Sequence, residues 1–276
     1  MVLSTNVLFG VQSVYEKEKG LTGMYYDYAM AAPYMAGIHD KEKLDVLILG
    51  MGTGTYATQC KRYFDNINIS GVEIDERITE LAVQYFELPE DVDVVTYDGR
   101  AYLNAIEGSY DVIMVDAYQD ITIPFQMSTV EFFELVSQHL SKNGVMVINM
   151  NMKGEGEGNI NQYLADTISK TFSQVYMVDV AGSTNRELFA TNNENVMETF
   201  LSNLEKEEDE ELVNIMNILH ENLIQYTPGN YIMTDDKAPV ELLGVKVIDE
   251  IIKKEVEYYR GIYEKEGLSG LMDLMG

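Results

Sequence analysis

The sequence predicts an α/β fold, in which a mostly parallel, seven-stranded sheet carries helices on both faces and ends in an antiparallel hairpin. Through the middle of the chain, short apolar runs alternate with helical segments and short loops, which is the pattern of βαβ units. The run 45–50 is almost continuously apolar and ends in glycine, as is typical of a strand buried on both faces. Two later β-like runs are joined only by residues 181–185, so they predict a hairpin and not a crossover.

The elements follow in order along the chain. Residues 1–22 are turn-rich and predict a β-like arm, and a helix interrupted by Pro33 is expected from 23 to 37. The strands are expected at 45–50, 67–74, 93–96, 110–115, 144–150, 175–180 and 187–190. The helices between them are expected at 56–64, 76–86, 100–106, 130–140 and 159–171. A parallel sheet closed by one hairpin is typical of methyltransferase-type α/β domains and differs from a dehydrogenase sheet.

These patterns divide the chain into three parts. The arm comprises residues 1–22, the α/β domain residues 23–192, and an acidic helical C-terminal extension residues 193–276. Within the extension, the run Glu205–Glu211 is most simply a solvated helix face or a connector.

The net charge limits the classes of function. The 276 residues contain 19 Lys and Arg against 46 Asp and Glu, which gives a formal charge of −27. A field of this sign repels nucleic-acid phosphates and anionic lipids and attracts small cations, so neither a nucleic-acid nor a membrane partner is expected. The alternative is that the charge serves solubility alone. The apolar share of 46% and the charged share of 24% exclude wholesale disorder.

Cysteine and histidine are too few for several kinds of chemistry. Cys60 is the single cysteine, which excludes an intramolecular disulfide and a Cys-rich zinc site. The three histidines, His39, His139 and His220, share no ligand spacing, so we expect no metal and no His-dependent triad. The sequence has no apolar run of about 20 residues and no signal-peptide pattern at its start, so a cytoplasmic location is expected.

The candidate site residues stand where strands end, because ligands of open parallel sheets bind beyond the carboxyl ends of the strands. The first strand runs into three alternate glycines, Gly50, Gly52 and Gly54, which allow a tight turn and close approach of a ligand. A strand-to-helix turn that needs glycine for its own geometry is the alternative. The second strand ends in Glu73, which could accept both hydroxyls of a ribose, with Asp75 as the cap of the next helix.

The third and fourth strands also end in carboxylates. Asp98, followed by Gly99, could accept from an adenine amine, or it could cap the helix that follows. Asp116 emerges from an apolar run directly into the expected crevice. This pattern predicts an adenosine site in the α/β domain with an extra acidic wall, which fits a nucleoside that carries a positive charge.

Several motifs together carry a family resemblance. They are Leu47–Thr55, Val72–Asp75, Asp98–Arg100, Val115–Tyr118, Ile123–Pro124, Thr129–Phe133 and Thr234–Glu241. Their order and spacing resemble the spermidine synthase (polyamine aminopropyltransferase) family, and within it the branch that is often fused to membrane transporters. The resemblance covers residues 23–242 and implies a class I methyltransferase-type (Rossmann-like) fold. It also implies a donor of the S-adenosylmethionine kind, usually decarboxylated, a diamine acceptor, and methylthioadenosine as the product.

The resemblance assigns roles to individual residues. The nucleoside turn matches Gly50, Gly52 and Gly54, the ribose acid matches Glu73, the adenine contact matches Asp98, and the first acid of the catalytic Asp-x-x-Asp motif matches Asp116. Three positions depart from the family pattern. Thr53 stands where the family has an Asp that meets the donor's amine, and Gln119 stands at the second catalytic acid, with Asp120 one residue later. The family's Tyr-His pair is represented by tyrosines without the histidine, at positions 25, 26 and 28.

Transfer to an amine needs a proton acceptor, because a primary amine with a pKa of about 10.4 is protonated at pH 7. Asp116 and Asp120 are the expected acids, and Tyr118 or one of the tyrosines 25, 26 and 28, of which Tyr28 is our choice, would orient the amine. Gln119 would contact the acceptor. Asp235 and Asp236 either close over the crevice or cap the helix that starts at Val240.

The sequence is compatible with three functions. The first is aminopropyl transfer from decarboxylated S-adenosylmethionine to a small cationic amine. The second is methyl transfer from S-adenosylmethionine itself, which Thr53 favours because it removes a selector for the decarboxylated donor. The third is a non-catalytic nucleoside-binding module, which Gln119 permits. A homodimer is possible in each case.

Overall fold

The computed structural model describes residues 1–3, 13–15, 17–18, 20–118, 122–151 and 156–273. Its strands are β1 (Val2–Leu3), β2 (Ser13–Val14), β3 (Leu44–Leu49), β4 (Ile67–Glu73), β5 (Asp93–Thr96), β6 (Tyr110–Val115), β7 (Leu140–Met150), β8 (Gln174–Asp179), β9 (Arg186–Thr191) and β10 (Ile224–Gln225). Its α-helices are α1 (Tyr25–Ala29), α2 (Ala31–Met35), α3 (Thr55–Tyr63), α4 (Glu76–Tyr85), α5 (Gly99–Ala105), α6 (Val130–Gln138), α7 (Ile160–Ile168), α8 (Val196–Leu204), α9 (Glu210–Asn222) and α10 (Val240–Asp273). Short 3-10 turns cover Ile38–Asp40 and Phe125–Met127.

The central sheet has the order β10-β8-β9-β7-β6-β3-β4-β5. Strands β7, β6, β3, β4 and β5 are parallel to one another, and β8 and β9 form the antiparallel hairpin that the sequence predicts. The prediction of seven strands is wrong by one, because β10 adds an eighth strand antiparallel to β8. The two residues of β10 are exposed and carry no alternating pattern, so only their backbone pairing with β8 defines them.

A hydrophobic core covers each face of this sheet, as the continuously apolar strands require. Along β3, Val46 and Ile48 face the first core with α1, α2, α3, α8 and α9, whereas Leu47 and Leu49 face the second core with α5, α6, α7 and the start of α10. Alternate residues of one strand therefore belong to opposite layers. The fold class predicted from the sequence is confirmed.

One local expectation about helices needs correction, and one is confirmed. The helix expected from 23 to 37 divides into α1 and α2 at Met30, and not at Pro33. Pro33 lies in the first turn of α2, where a missing amide hydrogen leaves no helical bond unmade. The acidic run 205–211 contains the connector that was one of its two interpretations, because α8 ends at Leu204 and α9 begins at Glu210. Within it, Glu207 accepts a hydrogen bond from the Tyr34 hydroxyl at 2.5 Å and Asp209 caps α9.

Among the described residues, no helix is a candidate for crossing a membrane. None of their helices combines the length and the low charge that a bilayer-spanning helix has.

The turn after β3 packs directly against the end of β6. Gly50 has a φ of +85°, and a Cβ atom placed there would lie 2.6 Å from the backbone oxygen of Asp116 and 2.7 Å from the Cα of Ala117. Glycine is therefore required at this position for the packing of two protein segments, independently of any ligand. This contact fixes the position of Asp116 relative to the glycine turn.

We expect Gly50→Ala to destabilise the fold by roughly 2–4 kcal/mol, because it combines a left-handed φ with overlap against backbone atoms. Chemical denaturation measures this change. Gly261→Ala, in α10 with open space around the new methyl group, makes the same chemical change and should be neutral or stabilising by up to about 1 kcal/mol. Equal effects of the two substitutions would contradict the close-packing role of Gly50.

Candidate active site

Five parallel strands end at one edge of the sheet, and the antiparallel strand β9 begins there. Leu49 of β3 lies beside Val115 of β6, and Val115 lies beside Ile148 of β7. In the next pair, Asn149 of β7 lies opposite Glu187 of β9. The residues that follow these positions are therefore brought together, as the sequence predicts for strand ends.

Asp116 is a carboxylate at this edge whose two oxygens are both held by side chains. Its Oδ2 accepts a hydrogen bond from the Tyr25 hydroxyl at 2.5 Å, and its Oδ1 accepts one from the Asn149 amide at 3.0 Å. Burial raises the pKa of Asp116 to about 7, against the two hydrogen bonds, which lower it, and together with the negative charge of Glu73, which raises it further. A carboxyl group with a pKa near neutrality can exchange protons at physiological pH.

Further polar side chains extend from Asp116 along the end of the sheet. The Oδ1 of Asn149 accepts a hydrogen bond from the Asn185 amide at 2.8 Å, and the Oδ1 of Asn185 accepts one from the Ser183 hydroxyl at 2.6 Å. This chain fixes the orientation of the Asn149 amide, so that its NH2 group faces Asp116.

Glu73 is buried beside the glycine turn. Its Oε2 accepts from the Gly52 amide at 2.8 Å and its Oε1 from the Asp75 amide at 3.1 Å. Asp75 caps α4 through the Arg77 amide, as expected. The carboxylate of Glu73 therefore braces the turn and has lone pairs left for hydroxyl donors.

Ser13 and Val14 of the N-terminal arm lie against the glycine turn. The amide of Thr53 donates to the Ser13 hydroxyl at 3.3 Å, and Val14 forms two hydrogen bonds with the Thr55 side chain, at 3.2 and 2.9 Å. Thr53 is buried, and its hydroxyl has no hydrogen-bond partner within the described stretches. One of the three positions that depart from the pattern of the resemblance thus lies beside Ser13.

Asp98 caps α5, since its Oδ1 accepts from the Ala101 amide at 2.8 Å. This is the structural alternative raised by the sequence, and the adenine contact stays a prediction for the second carboxylate oxygen. Gly99 is the first residue of α5, and a Cβ there would be 3.3 Å from Met127.

The tyrosines named from the sequence differ in their contacts. The Tyr118 hydroxyl donates to the backbone oxygen of Asn149 and accepts from the Asn151 amide at 2.9 Å, so its proton is committed to the backbone. The Tyr28 hydroxyl accepts from the Ala181 amide at 3.4 Å. Tyr25 is the tyrosine whose hydroxyl contacts Asp116. Gln119 and Asp120 lie outside the described residues.

Asp235 does not cap α10, and its carboxylate is hydrogen-bonded to two other side chains. It forms two hydrogen bonds with the Arg100 guanidinium, at 2.7 and 2.6 Å, and accepts from the Thr129 hydroxyl at 2.7 Å. The Arg100 hydrogen bonds hold the pKa of Asp235 below its ordinary value. Asp236 is exposed at the tip of the tight turn between Thr234 and Lys237. Asp235 thus ties the loop before α10 to the starts of α5 and α6.

Three residues of this edge were missed in the sequence: Asn149, Asn185 and Glu187. Two of them carry a signal that could have been used, since Asn149 lies near the end of an apolar strand and Glu187 precedes the apolar run 188–190. Across the part of the chain that the structure describes, no three His, Cys, Asp or Glu side chains are grouped as metal ligands would be.

Comparison with known proteins gives concordant results. The family model described as "Spermine/spermidine synthase domain" matches residues 27–187. A "Probable polyamine aminopropyl transferase" of Bifidobacterium longum is 51% identical over 98% of this chain, and the chain spans 64% of that relative's length.

Solved structures agree on the fold. Human methyltransferase-like protein 13 in complex with SAH has a TM-score of 0.58 at 20% identity, covering 77% of this chain and 98% of that one. Spermidine synthase from Thermotoga maritima has a TM-score of 0.55 at 20% identity, covering 73% and 74% of the two chains. At this identity the likeness establishes the class I methyltransferase-like architecture and nothing finer.

Tyr25→Phe should raise the pKa of Asp116 above about 7, because it removes a hydrogen bond that favours the ionised carboxylate. Carbon-13 NMR titration of the aspartate carboxyl groups measures this pKa. Tyr28→Phe is the matched control and should leave the titration unchanged, since that hydroxyl contacts Ala181 and not Asp116. A lower pKa in Tyr25→Phe would contradict the assigned contact.

Asp235→Asn should destabilise the protein by about 0.5–1 kcal/mol, the usual range for a partly exposed ion pair. It should also increase hydrogen exchange of the backbone amides in the loop 229–239, which the Arg100 pair holds in place. Asp236→Asn removes the same charge from the adjacent, exposed residue and serves as the control. If both variants exchange equally, Asp235 does not anchor the loop.

Proposed function

The chain belongs to the spermine/spermidine synthase family, and from this premise we propose that it transfers an aminopropyl group from decarboxylated S-adenosylmethionine to a small cationic amine. The observation that carries the proposal is the environment of Asp116. A half-buried carboxylate with a pKa of about 7 lies against the glycine turn and is oriented by Tyr25 and Asn149. This is the group that an amine nucleophile needs as it loses its proton.

The donor's adenosine would occupy the side of the edge formed by β3, β4 and β5. Gly50, Gly52 and Gly54 supply the close backbone, and Glu73 offers the lone pairs that its two amide contacts leave free. The second carboxylate oxygen of Asp98 would accept from the adenine amine. This placement puts the sulfonium near the junction of β3 and β6, next to Asp116, because Gly50 and Asp116 are in contact there.

The reaction is a single displacement. The nitrogen lone pair of the acceptor attacks the aminopropyl carbon bonded to sulfur, a C–N bond forms as the C–S bond breaks, and the electron pair of that bond stays on sulfur. The sulfonium becomes the neutral thioether methylthioadenosine. The proton lost by the nitrogen passes to Asp116, and alignment of nitrogen, carbon and sulfur supplies most of the rate.

The pH dependence follows from the ionisation of Asp116. Only the ionised carboxylate accepts a proton, and its pKa is about 7. Turnover should therefore rise as the pH increases through 7. Tyr25 donates to the ionised form and keeps it available at lower pH than burial alone would allow.

A second candidate function is methyl transfer from S-adenosylmethionine itself. Thr53 favours it, because a buried, uncharged side chain occupies the turn position at which related synthases carry an acid for the donor's amine. The two reactions leave different products, methylthioadenosine for aminopropyl transfer and S-adenosylhomocysteine for methyl transfer.

We expect Asp116→Asn to lower turnover by at least about a hundredfold, the usual range for a lost general base, while donor affinity changes little. The experiment supplies each donor separately with 1,4-diaminobutane, identifies the nucleoside product by mass spectrometry, and measures donor binding by calorimetry. Wild-type turnover in Asp116→Asn would contradict the assignment. S-adenosylhomocysteine as the product would favour methyl transfer, and nucleoside binding without either product would favour a non-catalytic module.

A further inference from the structure

Glu187 is a carboxylic acid buried in the core with no partner in the part of the chain that the structure describes. Its side chain is 0% exposed, and neither carboxylate oxygen has a hydrogen-bond partner among the described residues. Burial raises the pKa of Glu187 well above its ordinary range, and the nearby charge of Asp116 adds to this effect. Buried polar groups in folded proteins are nearly always hydrogen-bonded, so an unsatisfied carboxyl group points to a ligand or a function.

The position of Glu187 relates it to the candidate site. Asn149, which lies directly opposite Glu187 on the neighbouring strand, donates its amide to Asp116. Directly opposite residues of an antiparallel pair project on the same face of the sheet. Glu187 is two residues from Phe189, which packs in the same core as Tyr25, so both lie on the face that α1 covers.

Asp116, Asn149 and Glu187 thus form a row across three adjacent strands, β6, β7 and β9. The two acids are two strand spacings apart, roughly 9–10 Å between backbones. The row extends away from β4 and β5, where the adenosine would lie, toward the opposite half of the sheet edge. It therefore lies on the side left for the acceptor.

We propose that Glu187 binds the second ammonium group of the acceptor while the reacting nitrogen meets Asp116, so that Glu187 makes the site select diamines over monoamines. This inference rests on the proposed function and deepens it. An ammonium group supplies three donors to the two oxygens that lack them, and its positive charge neutralises the carboxylate that burial otherwise disfavours. While no amine is bound, the buried acid lowers the free energy of unfolding of the protein. Such a loss of stability is common for residues that serve binding.

The test uses Glu187→Gln, which keeps the shape of the side chain and removes its charge. With 1,4-diaminobutane as acceptor, KM should rise about ten- to a hundredfold, the loss expected for a charged hydrogen bond. With n-butylamine, which has no second ammonium group, KM should change less than about twofold. The thermal midpoint of the amine-free protein should not fall, because the variant replaces an acid that has no hydrogen-bond partner among the residues the structure describes.

The control is Glu198→Gln, which removes one negative charge from the exposed face of α8 and should leave both KM values unchanged. An unchanged KM for 1,4-diaminobutane in Glu187→Gln, or an equal rise for both amines, would overturn the inference. A binding measurement separates it from the proposed function. Calorimetry in the presence of methylthioadenosine should detect binding of 1,4-diaminobutane to the wild type and at least about tenfold weaker binding to Glu187→Gln, whether or not turnover occurs.

If the wild type binds the diamine but transfers nothing to it, the proposed function fails and Glu187 still stands as a diamine contact. If the wild type and Glu187→Gln bind the diamine equally well, the inference about Glu187 fails. The proposed aminopropyl transfer is then still tested separately, by whether methylthioadenosine is formed.

Discussion

The hydrogen-bonded carboxylate of Asp116, held at the boundary between core and crevice, is the constraint on which the rest of the site depends. Its backbone oxygen abuts the turn at Gly50, and its side chain is fixed by Tyr25 from α1 and by Asn149 from β7. Three separate parts of the chain must therefore pack correctly before this group acquires its orientation and its pKa of about 7. Loss of any of them changes the ionisation of Asp116, which would alter proton transfer without touching a substrate.

The edge of the sheet is divided by Asp116 into two halves of different character. On the β3–β5 half, Glu73 and Asp98 each make hydrogen bonds with backbone amides, so both acids stabilise the protein even in the absence of a ligand. On the β7–β9 half, Glu187 has no such partner within the described residues. The first half, whose acids are already hydrogen-bonded, suits the uncharged adenosine of the proposed donor. The second half, with its buried acid, suits the cationic acceptor that we propose.

Local sequence patterns were reliable where the energetics are local. The alternation of apolar strands and helices, the hairpin between β8 and β9, and the cap at Asp75 each depend on residues within a few positions of one another. The prediction was less complete where partners are distant in sequence. The contact between Tyr25 and Asp116 spans 91 residues and the ion pair between Arg100 and Asp235 spans 135, and no spacing rule anticipates either. The backbone bonds of Tyr118 are of the same kind, since they join it to residues more than 30 positions away.

By itself the sequence determined the fold class, the edge of the sheet at which the candidate site lies, and the family, because strand periodicity, glycine turns and strand-end acids are properties of short segments. Only the tertiary structure decided which tyrosine meets Asp116, which acids are used as caps or ion pairs, and that Glu187 is buried with no partner in the described segments. The physical reason is that hydrogen bonding and desolvation depend on the neighbours that packing brings from other parts of the chain. Those neighbours set the charge and the reactivity of each acid.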